Sequence, residues 1–283
     1  MAKEKKTLSD GSVYEGELVN GKPHGKGKLT LPDGVLYEGE HVNGVPQGKG
    51  KMRVDEVIYE GNFVDGRIHG KGKSKSLDGD VYEGDFVDGE MHGKGKFTSS
   101  NGKVYEGDWV NGLAHGKGKY TYPGGSVIEG DFVNDKPDGK CKIAYSDGDV
   151  IETDNIVELT KGGKGKLTYA DGDVYEGDFV HVKPHGKGKL TFADGDVYEG
   201  DFVDDHINGK GKYTYANGDV FEGEWVNGKW PDIAKMNYAN GDVYEGDFVD
   251  GKPHGKGKMT YKDGKVKEGK WKEGEYKGRG LFG

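Results

Sequence analysis

The chain has 283 residues, of which 54 are glycine, 32% are charged and only 32% are hydrophobic. That is too little apolar side chain to offset the ordering entropy of a conventional two-layer domain, so order must come from strict placement of a few large residues, among them 17 tyrosines and 10 phenylalanines. A formal net charge of −9 excludes the basic face that a nucleic-acid backbone requires of its partner.

The chain opens on Met1-Ala2-Lys3-Glu4-Lys5-Lys6, which has no apolar stretch of the secretory kind, and its single cysteine, Cys141, has no partner for an internal disulfide. A reducing, cytoplasmic location is therefore expected. No apolar run reaches bilayer-spanning length, so any membrane contact is expected to be peripheral. Residues 1–13 read as an N-terminal cap and first turn. From Tyr14 onward a Tyr-Glu-Gly tripeptide recurs, starting at Tyr14, Tyr37, Tyr59, Tyr82, Tyr105, Tyr175, Tyr198 and Tyr244, with degenerate forms at Ile128, Ile151, Phe221 and Lys267. Successive starts lie 23 residues apart, except for 22 between Tyr37 and Tyr59 and 24 between Ile151 and Tyr175. The array fills 14–283, with the last repeat incomplete.

The unit Tyr175–Val197, YEGDFVHVKPHGKGKLTFADGDV, alternates with period two and predicts a hairpin. Tyr175, Gly177 and Phe179 share one face with Gly186, Gly188, Leu190 and Phe192. The other face sets Glu176 and Asp178 against Lys187 and Lys189, an arrangement that lets cross-strand charges pair. Glycines opposite large rings let those rings lie on the backbone. Asp-Gly and Asn-Gly pairs between units, such as Asp33-Gly34 and Asp194-Gly195, predict two-residue type I′ turns, and a second short link lies within each unit, as at Asn20-Gly21. Short links throughout imply a meander: an all-β, elongated, single-layer antiparallel sheet of about twelve hairpins, twisted into a ribbon with an aromatic-lined groove.

Tyr-Glu-Gly-Asp-Phe followed by His-Gly-Lys-Gly resembles the MORN repeat (membrane occupation and recognition nexus), and the resemblance covers nearly the whole chain. It implies an elongated antiparallel sheet serving as a scaffold in cytoskeletal, ciliary or membrane-associated assemblies. Some relatives carry a catalytic domain after the repeats; from Lys267 to Gly283 only a partial repeat remains.

Candidate sites follow the repeat. His24, His69, His92, His115, His185 and His254 recur at one position, but equivalents in adjacent units would sit about 10 Å apart, too far to share a metal ion. A turn-stabilising role is expected instead, with no metal and no cofactor. Gly-Lys-Gly-Lys lacks the helix that a phosphate-binding loop needs, and no nucleophile and base can be paired, so no enzyme activity is expected. Cys141 replaces a strand glycine and is expected to fill space on the aromatic face.

The aromatic row Tyr82, Phe86, Tyr105, Trp109, Tyr175, Phe179, Tyr198, Phe202, Trp225, Tyr244 and Phe248 has no second layer in the sequence to cover it. It is expected to pack along the sheet and, where exposed, to hold a segment of a partner protein. The competing reading is lipid recognition, which the alternation of Lys with Glu and Asp disfavours, or service as a regulatory subunit of a separate enzyme. At the C-terminal end, Trp271, Tyr276, Leu281 and Phe282 form an apolar edge expected to mediate assembly, either as a homodimer or within a larger complex, in contrast to the charged Lys3-Glu4-Lys5-Lys6 start. Two segments break the pattern. Ile151–Val157 loses its strand glycine and its aromatic, which predicts a bulge. Trp230-Pro231-Asp232-Ile233-Ala234 replaces the turn histidine by proline.

Overall fold

The computed structural model describes residues 4–278. Apart from one helical turn, Ile156–Leu159, the regular elements are strands, 25 among the described residues, forming the expected open antiparallel meander. They fall into two compact units, Met1–Ile143 and Ala144–Gly283. In the first unit, Glu4–Thr7 already pairs with Val13–Val19, from Glu4↔Gly16 to Thr7↔Val13, so the segment expected to be a cap and turn contributes a strand.

The repeat Val174–Val180 and Lys183–Thr191 shows why the sequence folds as it does. Tyr175 faces Leu190, Glu176 faces Lys189 and Gly177 faces Gly188; the register then shifts, so that Phe179 faces Pro184. The second strand holds two extra residues across this shift. Gly186 lies there at φ 72°, in the left-handed region that glycine adopts without steric cost. His-Gly-Lys-Gly thus contains two glycines with separate tasks: Gly186 forms the bulge, and Gly188 clears space for a ring.

The links differ from the sequence expectation. Both central residues have positive φ in the links within units, for example Asn20 at 50° and Gly21 at 75°, which marks these as the type I′ turns. Between units the loop is one residue longer. Leu31 N–H donates to the Val35 carbonyl at 2.8 Å and Gly34 N–H to the Leu31 carbonyl at 3.0 Å, with Gly34 at φ 91°: a three-residue loop closed by a left-handed glycine. Each of these tips is also sewn to the next in the second unit. Asp173 Oδ1 accepts the Ala193 N–H at 2.9 Å, and Asp196 accepts that of Ala216 at 2.8 Å. The second aspartate of Asp-Gly-Asp is therefore a structural staple.

Three within-unit turns lack the glycine: Asn134-Asp135, His181-Val182 and Asp204-Asp205. Of these, Val182 sits at φ 64°, a strained conformation for a β-branched residue. Val182→Gly is expected to stabilise the protein by about 1 kcal/mol. Chemical denaturation of the two proteins side by side measures it; a destabilised variant would show that Val182 contributes packing worth more than the strain.

At the first irregular segment the predicted bulge is absent. The strand Val150–Thr153 stops short, and Asn155 caps a helical turn by accepting the N–H groups of Val157 and Glu158. Ile156 and Leu159 are buried, and the Leu159 side chain lies beside Gly165, the space that a tyrosine ring fills in a regular repeat. Ile151 is too short to fill it, so the helical turn supplies the missing volume. In the second irregular segment Pro231 and Ala234 pack over Gly223 instead, beneath Phe221, which also lacks a hydroxyl.

Candidate partner-binding surface

The eleven aromatic residues expected to line a groove are all buried, with exposures between 0 and 5%. Partial exposure of this row is thus corrected: the rings are the core. They are held in an edge-to-face ladder. Tyr82 meets Phe86 at 5.0 Å and Trp109 at 5.2 Å, and Tyr105 meets Trp109 and Phe132, each at 5.1 Å. In the second unit Tyr175, Phe202, Tyr198 and Trp225 continue the same alternation. Each ring lies over a glycine pair. A Cβ on Gly188 would fall 2.5 Å from Tyr175 Cζ, and one on Gly177 would fall 2.6 Å from the Cα of Gly188.

The hydroxyls fix the rings at their far ends. Tyr175 donates to the Asp178 carbonyl at 2.7 Å, and Tyr82 to the Asp85 carbonyl at 2.8 Å. Burial pushes the hydroxyls of Tyr82, Tyr105, Tyr198 and Tyr244 up to about 12. At the repeat from Tyr37 the second aromatic is His41, buried between Tyr14 and Tyr37 at 5.0 Å from each. Its Nε2 has no hydrogen-bond partner, and burial lowers its pKa.

The opposite face is an ion-pair ladder with shared carboxylates. Asp178 accepts the Lys187 N–H on Oδ2 at 3.1 Å, which caps the bulge, and binds the ammonium of Lys164 on Oδ1 at 2.7 Å. Lys187 in turn binds Asp201 at 2.5 Å. The hydrogen bond from Lys164, followed by that from the Lys187 backbone, holds Asp178 below the usual carboxylate range despite some desolvation. Asp85 is lowered in the same way, first by Lys71. The sequence expectation of acid facing base holds, with the further feature that one aspartate serves backbone and lysine together.

Two of the six histidines contact a turn, whereas the Nδ1 of His24 is buried without a hydrogen-bond partner. His69 Nδ1 accepts the Asp88 N–H at 3.4 Å, and His185 accepts that of Asp204 at 3.5 Å, each in the turn of the following repeat. Among the described residues no three His, Cys, Asp or Glu side chains are grouped as metal ligands. Cys141 is buried, and desolvation raises its thiol to about 11. At the C-terminal end, Trp271 is not an open edge. It is 5% exposed, donates from its indole N–H to the Gly257 carbonyl at 3.0 Å, and packs on Tyr244 and Tyr276, each at 5.2 Å. Tyr276 is half-buried, while Leu281 and Phe282 lie outside the described residues.

Two sets of residues that the alternation places on the same face, as it does Leu190 and Phe192 beside Tyr175, cover the ring row. One is the second-strand residue facing each anchor, such as Phe97, Tyr120 or Tyr213. The other is the first residue of each between-unit tip. In the second unit this tip position is Tyr145, Tyr169, Phe192, Tyr215, Tyr238 and Tyr261 in succession. Tyr145 is 39% exposed and the other five are half-buried. Trp230, 38% exposed, lies parallel to Tyr215 at 6.2 Å and edge-on to Phe221 at 5.0 Å. Aligning the repeats by position reveals this row, which is hidden when only the Tyr-Glu-Gly anchors are followed. A second apolar row, on the charged face, consists of the exposed Val19, Val42, Val64, Val87, Val110 and Val133 at the hairpin turns of the first unit.

No curated protein sequence matches the chain. Solved structures with some likeness include the TCP10 domain of Danio rerio CPAP in complex with a peptide of Danio rerio STIL, 15% identical over 95% of this chain and 100% of that one, with a TM-score of 0.41. The SAS-4 (dCPAP) TCP domain of Drosophila melanogaster, in complex with a proline rich motif of Ana2, is 14% identical over 70% and 88% of the two chains, with a TM-score of 0.34. Virginiamycin B lyase from Staphylococcus aureus, with quinupristin, is 14% identical over 93% and 82%, with a TM-score of 0.15. None of these likenesses is close enough to carry a functional argument. The MORN repeat model matches eleven segments, 14–35, 37–53, 59–81, 82–104, 105–127, 129–150, 161–174, 175–197, 198–220, 221–230 and 244–266, and by these repeats the chain belongs to the MORN repeat family.

Proposed function

We propose that the chain is a non-catalytic scaffold that holds segments of partner proteins on its repeat surface. The observation that carries this reading is where unsatisfied surface remains. Lysines of the charged face are engaged by carboxylates of neighbouring strands, as in the Lys164–Asp178 and Lys187–Asp201 pairs, whereas valine side chains stay exposed and tip aromatics half-buried in rows that repeat every two strands. A surface of this kind suits an extended protein segment. The buried rings contribute by making the face rigid, and the tip-row aromatics supply contact. Membership of a cytoskeletal or ciliary assembly rests on the family resemblance, and a cytoplasmic location on the single cysteine.

Lipid binding is the competing reading, disfavoured where carboxylates engage the lysines of the charged face. Affinity capture with the full chain, followed by crosslink mapping, is expected to recover protein partners crosslinked at the tip row or at the valine row. In parallel, flotation with phosphoinositide vesicles at physiological salt is expected to leave the chain in the dense fraction. Salt-sensitive flotation without protein capture would overturn the scaffold reading.

A further inference from the structure

The first residue of the between-unit tip changes character along the chain. In the first unit it is Leu8, Leu31, Val54, Ser76 and Ser99 before Tyr122; in the second it is aromatic in all six repeats. These six positions lie two strands apart, so their rings recur about every 10 Å along the edge. The tips of the second unit are also acidic. From Tyr145 to Val243 each carries one or two aspartates, as in Ser146-Asp147-Gly148-Asp149 and Ala193-Asp194-Gly195-Asp196, and none carries a lysine or arginine. The last tip is the exception, Tyr261-Lys262-Asp263-Gly264-Lys265, and there the molecule shows what such a ring accepts. Lys267, which replaces the anchor tyrosine, places its ammonium 5.3 Å from the centre of the Tyr261 ring.

We infer that the acidic aromatic edge of the second unit, from Tyr145 to Tyr238, docks an extended basic segment of a partner protein, with a lysine or arginine at every third residue. The inference rests on the scaffold reading and names the partner chemistry. Three residues of a polyproline II chain span about 9 Å, close to the ring spacing, so successive basic side chains reach successive rings while the aspartates beside them supply opposite charge. The sixth rung is already occupied by Lys267, which ends the row. Asp-Gly-Asp tips suit the task because one carboxylate oxygen of the second aspartate is used as a staple, as in the Asp173 bond to Ala193, while the net negative charge remains. The first unit, where Leu8, Leu31, Val54, Ser76 and Ser99 stand at the tip position, lacks the aromatic half of the surface.

The test uses the full chain and a synthetic peptide of repeated Pro-Pro-Arg triplets long enough to span the five rungs from Tyr145 to Tyr238, with Pro-Pro-Glu triplets as control. The Arg peptide is expected to bind in a salt-sensitive way and the Glu peptide not to bind. Two variants keep the fold by copying residues the protein already uses. Asp147→Asn, Asp171→Asn and Asp194→Asn together make the tips like those at Asn217 and Asn240, whose side chains accept the same turn N–H. Tyr215→Leu with Tyr238→Leu restores the residue found at Leu31. Each is expected to weaken the Arg peptide roughly tenfold, with an unchanged circular dichroism spectrum. Absence of binding by the Arg peptide, equal binding of the two peptides, or unchanged binding by both variants overturns the inference. Capture of protein partners mapped elsewhere on the chain would then leave the scaffold reading intact.

Discussion

Tyr175→Ala is expected to lower the stability of its repeat by about 4 kcal/mol, the usual range for deleting a fully buried ring. Tyr175 is 0% exposed, packs edge-on against Phe179 at 5.3 Å and Phe202 at 4.7 Å, and bonds the Asp178 carbonyl. In a single-layer sheet no neighbouring layer can move in to fill the hole, so the flanking rings lose contacts on one side and gain none. Tyr175→Phe keeps the ring and loses only the hydroxyl bond, with an expected cost of about 1 kcal/mol. Arrays of repeats need not unfold as one unit, so the measurement is native-state hydrogen exchange on the strands Val174–Val180 and Lys183–Thr191. Alanine should speed exchange there by about a thousandfold, and phenylalanine by about fivefold. Equal effects of the two variants would show that the hydroxyl, not the ring, holds the repeat.

Gly188→Ala is expected to cost about 3 kcal/mol, at the upper end for overpacking. The three nearest atoms to an added Cβ all belong to the Tyr175 ring, so the methyl group would displace the ring and with it the hydroxyl bond. That geometry gives a sharper test than either single change. In the double variant Tyr175→Ala/Gly188→Ala the added methyl meets no ring, and its cost should largely vanish. A coupling of about 2 kcal/mol or more between the two positions is therefore expected, against near-additivity if Gly188 were needed for backbone freedom alone. Gly186→Ala is the control. Gly186 sits at φ 72° and its nearest neighbour is the carboxylate of Asp178, so its substitution should be costly whether or not the ring is present.

The repeat itself was legible because its chemistry is local. Tyr175, Gly177 and Phe179 alternate with charged residues at period two, and such alternation fixes strand, face and neighbour in one step. The opposition of Glu176 to Lys189 follows from the same register. The type I′ turns were assigned to the wrong links, since Asp-Gly occurs at both and only loop length, with one extra residue at Leu31–Val35, separates them. The helical turn at Ile156–Leu159 was legible in part: the loss of glycine at Thr153 marked a disturbance, while Asn155 two residues later is a helix-capping residue that reads equally well as a loop.

By itself the sequence determined the all-β class, the meander, the pairing of faces and the family, because a strict 23-residue period repeats one set of local choices along the chain. Burial was decided only by the tertiary structure. Whether Tyr82 or Trp109 faces water depends on Phe97, Tyr120 and the tip residues that fold over the same face, and these vary from repeat to repeat outside the Tyr-Glu-Gly anchor. So the aromatics that looked like a groove are its floor, sealed at 5% exposure or less, and the row that remains accessible is the tip position from Tyr145 to Tyr261. The physical reason is that period sets which side of a sheet a residue takes, whereas exposure is set by the volume of every neighbour on that side.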